Sequence, residues 1–135
     1  MFREMEEAVS SGRTIPGRGQ LTGCGCIFSR IAVRADGAYV PCVMLPQMVL
    51  GHIGKDSLEE VWRNAPAFNA LRTRREIALE SFEECRDCRY RHVCTGNCAG
   101  NAFSVHGEAN RPAPDGCLCR FQEALAREGR SLWQE

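Results

Sequence analysis

The sequence predicts a small α+β domain stapled together by metal. Three observations carry that prediction. Nine of the 135 residues are cysteine, near the proportion that signals a stapled scaffold. A chain this short buries only a thin core, so staples matter to it. Four of those thiols crowd into one run, CRDCRYRHVCTGNC, from Cys85 to Cys98.

Charge and compartment narrow the class. Lys+Arg and Asp+Glu both number 17, so the formal net charge is zero. That leaves no electrostatic case for a nucleic-acid partner or an anionic membrane surface. Arg72, Arg74 and Arg75 gather, with Glu76 and Glu80 close behind, which reads as a solvated helix end. The N-terminus, MFREMEEAVSSGR, has acids where a secretory signal has a basic start, and no apolar core follows. No apolar stretch reaches the length of about 18 residues that spans a bilayer. A cytoplasmic, reducing setting is expected, where dense cysteines bind metal rather than pair as disulfides.

Residues 1–23 read as a lead-in: one or two helical turns, then SSGRTIPGRGQLTG, which is linker chemistry. A domain is expected over 24–128, with 129–135 as a tail. IAVRADGAYVPC holds two short β-forming runs about Asp36-Gly37, a hairpin signal, because Gly accepts the positive φ of the turn. Pro41 limits the second strand. MLPQMVLGHIG reads as a connector with a short strand at 48–50. Ser57 precedes Glu60 by three residues as a helix-capping box. Leu58, Val61, Trp62 and Ala65 then recur at helical spacing as core residues. Pro66 starts a second helix, whose apolar face is Phe68 and Leu71. Little regular structure is expected over 85–98. AGNAFSVHG predicts a short helix ending at Gly107, and CLCRFQEALAREG a C-terminal helix ending at Gly129.

The thiol spacing decides which metal. Zinc ribbons and fingers favour two close pairs across a longer gap, whereas Cys85-x2-Cys88-x5-Cys94-x3-Cys98 is one run at unequal spacings. Iron–sulfur proteins use such runs, and in two-cluster ferredoxins the fourth cysteine of a run ligates the other cluster. Two four-iron clusters need about eight thiolates, and nine are present. On this logic Cys85, Cys88 and Cys94 share a cluster with a later cysteine, and Cys98 joins Cys24, Cys26 and Cys42. The later cysteine is Cys117 rather than Cys119. It lies nearer the expected helix start, where partial positive charge favours a thiolate. Cys26 is either a ligand or a small buried hydrophobe. His52, His92 and His106 read as structural or surface residues.

Cys24-x12-Gly37-x4-Cys42, then the run from Cys85 to Cys98, then Cys117, resembles the seven-cysteine motif of the SPASM domain. That domain is the C-terminal auxiliary-cluster domain of radical S-adenosylmethionine (SAM) enzymes. ADGAYVPC, LGHIG before SLEEVW, and TGNCAG agree with it. The resemblance implies two auxiliary [4Fe–4S] clusters. Cys24, Cys42 and Cys98 fall to the first, and Cys85, Cys88, Cys94 and Cys117 to the second. Cys26, outside the motif, is the candidate fourth ligand of the first cluster; without it one iron is open to substrate. The family mostly modifies peptides and proteins.

The SAM-binding Cys-x3-Cys-x2-Cys spacing does not occur; Cys94-x3-Cys98 begins it, but position 101 is Asn. Any use of SAM is therefore expected through a radical SAM barrel in a longer polypeptide or in trans. The leading expectation is an accessory cluster domain that relays electrons and positions a peptide substrate. The alternatives are a free-standing ferredoxin-like electron carrier and a zinc-stapled interaction module.

Overall fold

The structure, a computed structural model, describes residues 2–113 and Arg127. The expected C-terminal helix lies outside the described residues, apart from Arg127, which is helical and exposed. Six α-helices are described: α1 (Phe2–Ser11), α2 (Cys26–Ser29), α3 (Leu58–Asn64), α4 (Pro66–Arg72), α5 (Glu83–Arg86) and α6 (Ala99–His106). The strands are β1 (Ala32–Val33), β2 (Ala38–Val40) and β3 (Gly51–His52). They form one antiparallel sheet in the order β1-β2-β3. This is the small α+β domain that the sequence predicts.

The hairpin forms where Asp36-Gly37 places it. Ala32 pairs with Val40 and Val33 with Tyr39. Gly37 takes φ +84° and donates its N–H to the Arg34 carbonyl at 2.9 Å. Asp36 accepts from the Ala38 N–H at 3.2 Å and closes the turn from its side chain. The third strand lies at Gly51–His52, just after the expected 48–50, because Ala38 and Tyr39 pair with His52 and Gly51. β2 is thus the central strand, and all three of its residues are buried.

The paired helices also follow local chemistry. The Ser57 side chain accepts from the Glu60 N–H at 3.4 Å and caps α3, and Pro66 opens α4. Val61, Phe68 and Leu71 are buried, but Leu58, expected in the core, is 48% exposed. It opens the first turn of α3. Trp62 and Phe68 meet edge to face at 5.5 Å between centroids. α6 ends at Gly107 as expected.

Two small apolar clusters make up the core. The larger gathers Ile27, Leu45, Phe68, Leu71, Ala99 and Ala109, with Cys42 packed against it. The smaller gathers Ala8, Tyr90 and Val93, with Cys88 and Cys94 packed against it. Each cluster therefore adjoins different cysteines.

Two expectations need correction. The residues read as a lead-in are packed: Ala8 and Leu21 are fully buried. Their segment runs parallel to residues 92–95 and antiparallel to residues 77–79. Ile15, Gly19 and Gly23 donate to the carbonyls of His92, Cys94 and Thr95, and Leu21 and Ile77 also bond, at 2.8–3.3 Å. A backbone that satisfies its polar groups this way is not a linker. The arginines read as a solvated helix end are not all solvated either. Arg74 is 0% exposed. Arg72 lies 3.8 Å over the Phe68 ring and 4.4 Å over Trp62, and donates to the carbonyls of Ile27 and Trp62. The cation–π faces hold Arg72 against the core.

α6 touches the loop after Cys42 through Gly100. A Cβ there would lie 2.3 Å from Met44 Cβ and 2.8 Å from the Met44 carbonyl oxygen. Helix propensity alone favours Ala over Gly by about 1 kcal/mol, while forcing extra atoms into a packed contact costs roughly 1–3 kcal/mol. Because backbone is among the obstructing atoms, the packing term dominates. Gly100→Ala is expected to destabilise the fold by about 1 kcal/mol or more, read as a lower urea midpoint. A midpoint at or above wild type contradicts this packing.

Candidate metal centre

The loop before Cys24 reaches the cysteine run by close backbone approach. Gly23 is buried, and a Cβ on it would sit 2.6 Å from the Asn97 carbonyl oxygen. Just beyond this contact lie Cys24 and Cys98. Two non-glycine residues hold left-handed backbone, Cys24 at φ 57° and Asn97 at φ 61°. Asn tolerates that region, but Cys24 is strained there by about 1–3 kcal/mol. Such strain persists where surrounding contacts over-determine it, and it falls here on a predicted ligand.

Six of the predicted ligands sort into two groups. Cys42 is raised above the ordinary thiol value by burial, and the charges of Cys98 and Cys24 raise it further. Cys42, Cys24 and Cys98 are therefore neighbours. Cys85 is pushed from its ordinary 9.0 to about 11 by burial, then by the charges of Cys94, Glu84 and Cys88. Cys94 is raised by burial and by Cys88, against the opposing effect of the Gly96 N–H, which donates to Cys94 Sγ at 3.3 Å. Cys85, Cys88 and Cys94 are the second group. The 3-10 turn at Arg91–Val93 and α5 position this group. β2 and the N-terminus of α6 position the first. Cys26 opens α2, half-buried. Cys117 lies outside the described residues. Among the described residues, no three His, Cys, Asp or Glu side chains converge as a single-ion site.

The donors fit iron–sulfur chemistry. Both groups consist of sulfur alone, the ligand type that Fe–S clusters take. Cys94 already receives a backbone N–H bond, of the kind that tunes cluster sulfurs. Beside the first group stands a buried cation, Arg74, whose Nε and Nη1 have no hydrogen-bond partner among the described residues. Its environment is matched to negative charge. Sequence reasoning missed this residue: Arg72, Arg74 and Arg75 look alike in the sequence, and only the fold separates them.

Known proteins also point to iron–sulfur binding. Residues 24–89, which include Cys24, Cys26, Cys42, Cys85 and Cys88, match the SPASM family, an iron–sulfur cluster-binding domain. This segment is a SPASM domain. Relatives extend the likeness beyond it. An AdoMet-dependent heme synthase of Methanosarcina barkeri is 33% identical over 91 residues, 67% of this chain and 23% of the relative. A PqqA peptide cyclase of Methylocella silvestris is 32% identical over 85 residues, 61% of this chain and 22% of the relative. An uncharacterized protein of Archaeoglobus fulgidus is 29% identical over 106 residues, 78% and 24%. The chain thus spans about a quarter of the length of these relatives. No solved structure matches it. No helix among the described residues is long and apolar enough to cross a membrane.

Burial of the SPASM thiols sets a pH dependence. In the metal-free protein the folded state holds the Cys85 proton where the unfolded chain has lost it. A raised folded pKa gives stability that is complete below about pH 9 and lost as pH rises through about 11. Cys42 and Cys94 shift in the same direction. Thermal melts of the metal-free protein under reducing conditions are expected to fall steadily from pH 9 to 11. A flat profile across that window contradicts the buried, protonated thiols.

Proposed function

We propose that this chain is the auxiliary-cluster domain of a radical SAM enzyme that modifies a peptide, and that it holds two [4Fe–4S] clusters. The observation that carries the reading is the sorting of Cys24, Cys42 and Cys98 away from Cys85, Cys88 and Cys94. In this reading Cys26 completes the first set and Cys117 the second. Bound clusters would supply one-electron acceptors. The chain's own residues do the rest. The two apolar clusters exclude water from one side of each thiol set. The backbone pairing of 15–23 with 92–95 fixes the two sets relative to each other. The peptide substrate follows the PqqA peptide cyclase likeness. SAM binding is assigned to a barrel partner outside these residues, in a reducing, cytoplasmic setting.

Each set draws its thiols from distant parts of the chain, so folding and loading are coupled. Anaerobic reconstitution is expected to give about eight irons and eight sulfides per chain, the content of two four-iron clusters. Cys42→Ala and Cys88→Ala should each lose roughly half of that iron, and the double variant nearly all. Full iron in either single variant overturns the ligand partition. Zinc uptake without iron–sulfur colour overturns the cluster reading.

A further inference from the structure

Arg74 lies in the 3-10 turn Thr73–Glu76 that follows α4. It is the one buried charged side chain among the described residues, at 0% exposure. Its Nη2 donates to the Asn97 carbonyl at a long 3.5 Å, and Nε and Nη1 have no partner among the described residues. The ion pairs among the described residues use Arg34, Arg63 and Arg111, and none reaches Arg74. A guanidinium stripped of water with idle donors is costly, and it does not escape by deprotonating. Among the described residues, the charges acting on it are those of Cys98 and Cys24, which oppose the effect of its burial. As neutral thiols those residues offset nothing. Among the described residues no ion pair meets the charge, so cluster-bound thiolates are the partners that would balance it.

We infer that Arg74 is a positioning residue of the first cluster: its fixed positive charge favours loading there and raises the reduction potential of what is loaded. The inference rests on Cys24, Cys42 and Cys98 holding a cluster. A cluster held there, given one electron by a low-potential reductant such as dithionite, would carry one more negative charge. Arg74 keeps its proton throughout. A nearby cation stabilises the more negative, reduced form, so the equilibrium shifts toward reduction. In the metal-free protein the same charge is a burden, since buried unpaired ions destabilise.

The test uses the full chain, reconstituted, in a redox titration with dithionite followed by EPR. Arg74→Met removes the charge at similar volume, and Arg74→Lys keeps it. Arg74→Met is expected to lower one of the two potentials about tenfold in reduction constant, some 59 mV for one electron. Arg74→Lys should stay near wild type. Thermal melts give a second readout. Arg74→Met should raise the midpoint of the metal-free protein and shrink its gain on loading. Should the Met variant fail to fold, Arg74→Gln takes its place in the titration. Equal potentials in the charged and uncharged variants, with iron content intact, overturn the role of Arg74 and leave the cluster reading standing. A wild-type chain that takes up no iron overturns the cluster reading, and the inference with it.

Discussion

Gly19 and Gly23 donate their N–H groups to the carbonyls of Cys94 and Thr95, and Gln20 bridges to Ala78. This seam, parallel along Cys94–Thr95 and antiparallel at Ala78, is the constraint on which the other contacts depend. It carries Leu21 into full burial. It also sets Gly23 against the Asn97 backbone, so that Cys24 arrives beside Cys98. A side chain at position 23 would push the two strands of chain apart. Without the seam, Cys24 and Cys98 would be distant residues of a thin domain. With it, two thiol sets take their places on either side of one short run.

The same geometry has an electrostatic cost that differs between the two sets. Burial raises Cys85, Cys94 and Cys42, so without metal the thiols hold their protons and the interior stays neutral there. Loading has to expel those protons, which makes it steeply dependent on pH. In the second set, Arg18 and Arg91 offset the charge only in part, from positions that water reaches. In the first set the positive charge is already inside. Among the described residues Arg74 forms no ion pair with a carboxylate, and the charges acting on it are those of Cys98 and Cys24. One site is therefore neutral until it is loaded, and the other carries a standing positive charge.

Local signals were legible in the sequence, and long-range ones were not. Asp36-Gly37 placed the hairpin, Ser57 and Pro66 placed the starts of α3 and α4, and Gly107 placed the end of α6. Each is a short-range backbone preference that tertiary contacts left alone. The thiol groups were legible because their spacing is a chemical signature. The packing of residues 2–23 was not, since its partners lie some 75 residues away, and Ser, Gly and Pro look the same in a linker as in a seam. Arg74 was misread for a related reason. Its neighbours Arg72 and Arg75 resemble it in sequence, but a buried guanidinium is decided by which anions the fold brings to it.

The strained backbone at Cys24 completes this picture. A left-handed cysteine is uncommon because Cβ crowds the backbone, and Cys24 is exposed, so no packing of its own side chain holds it there. What holds it is the seam before it and the start of α2 after it, at Cys26. Between those fixed points the chain has only Cys24 and Gly25 in which to turn. The strain is thus the consequence of anchoring both sides of the residue at once. An anchored, exposed thiol keeps its position without depending on the core, and it faces outward. The first thiol set therefore combines an inner side, made by half-buried Cys42 and buried Arg74, with an exposed side at Cys24.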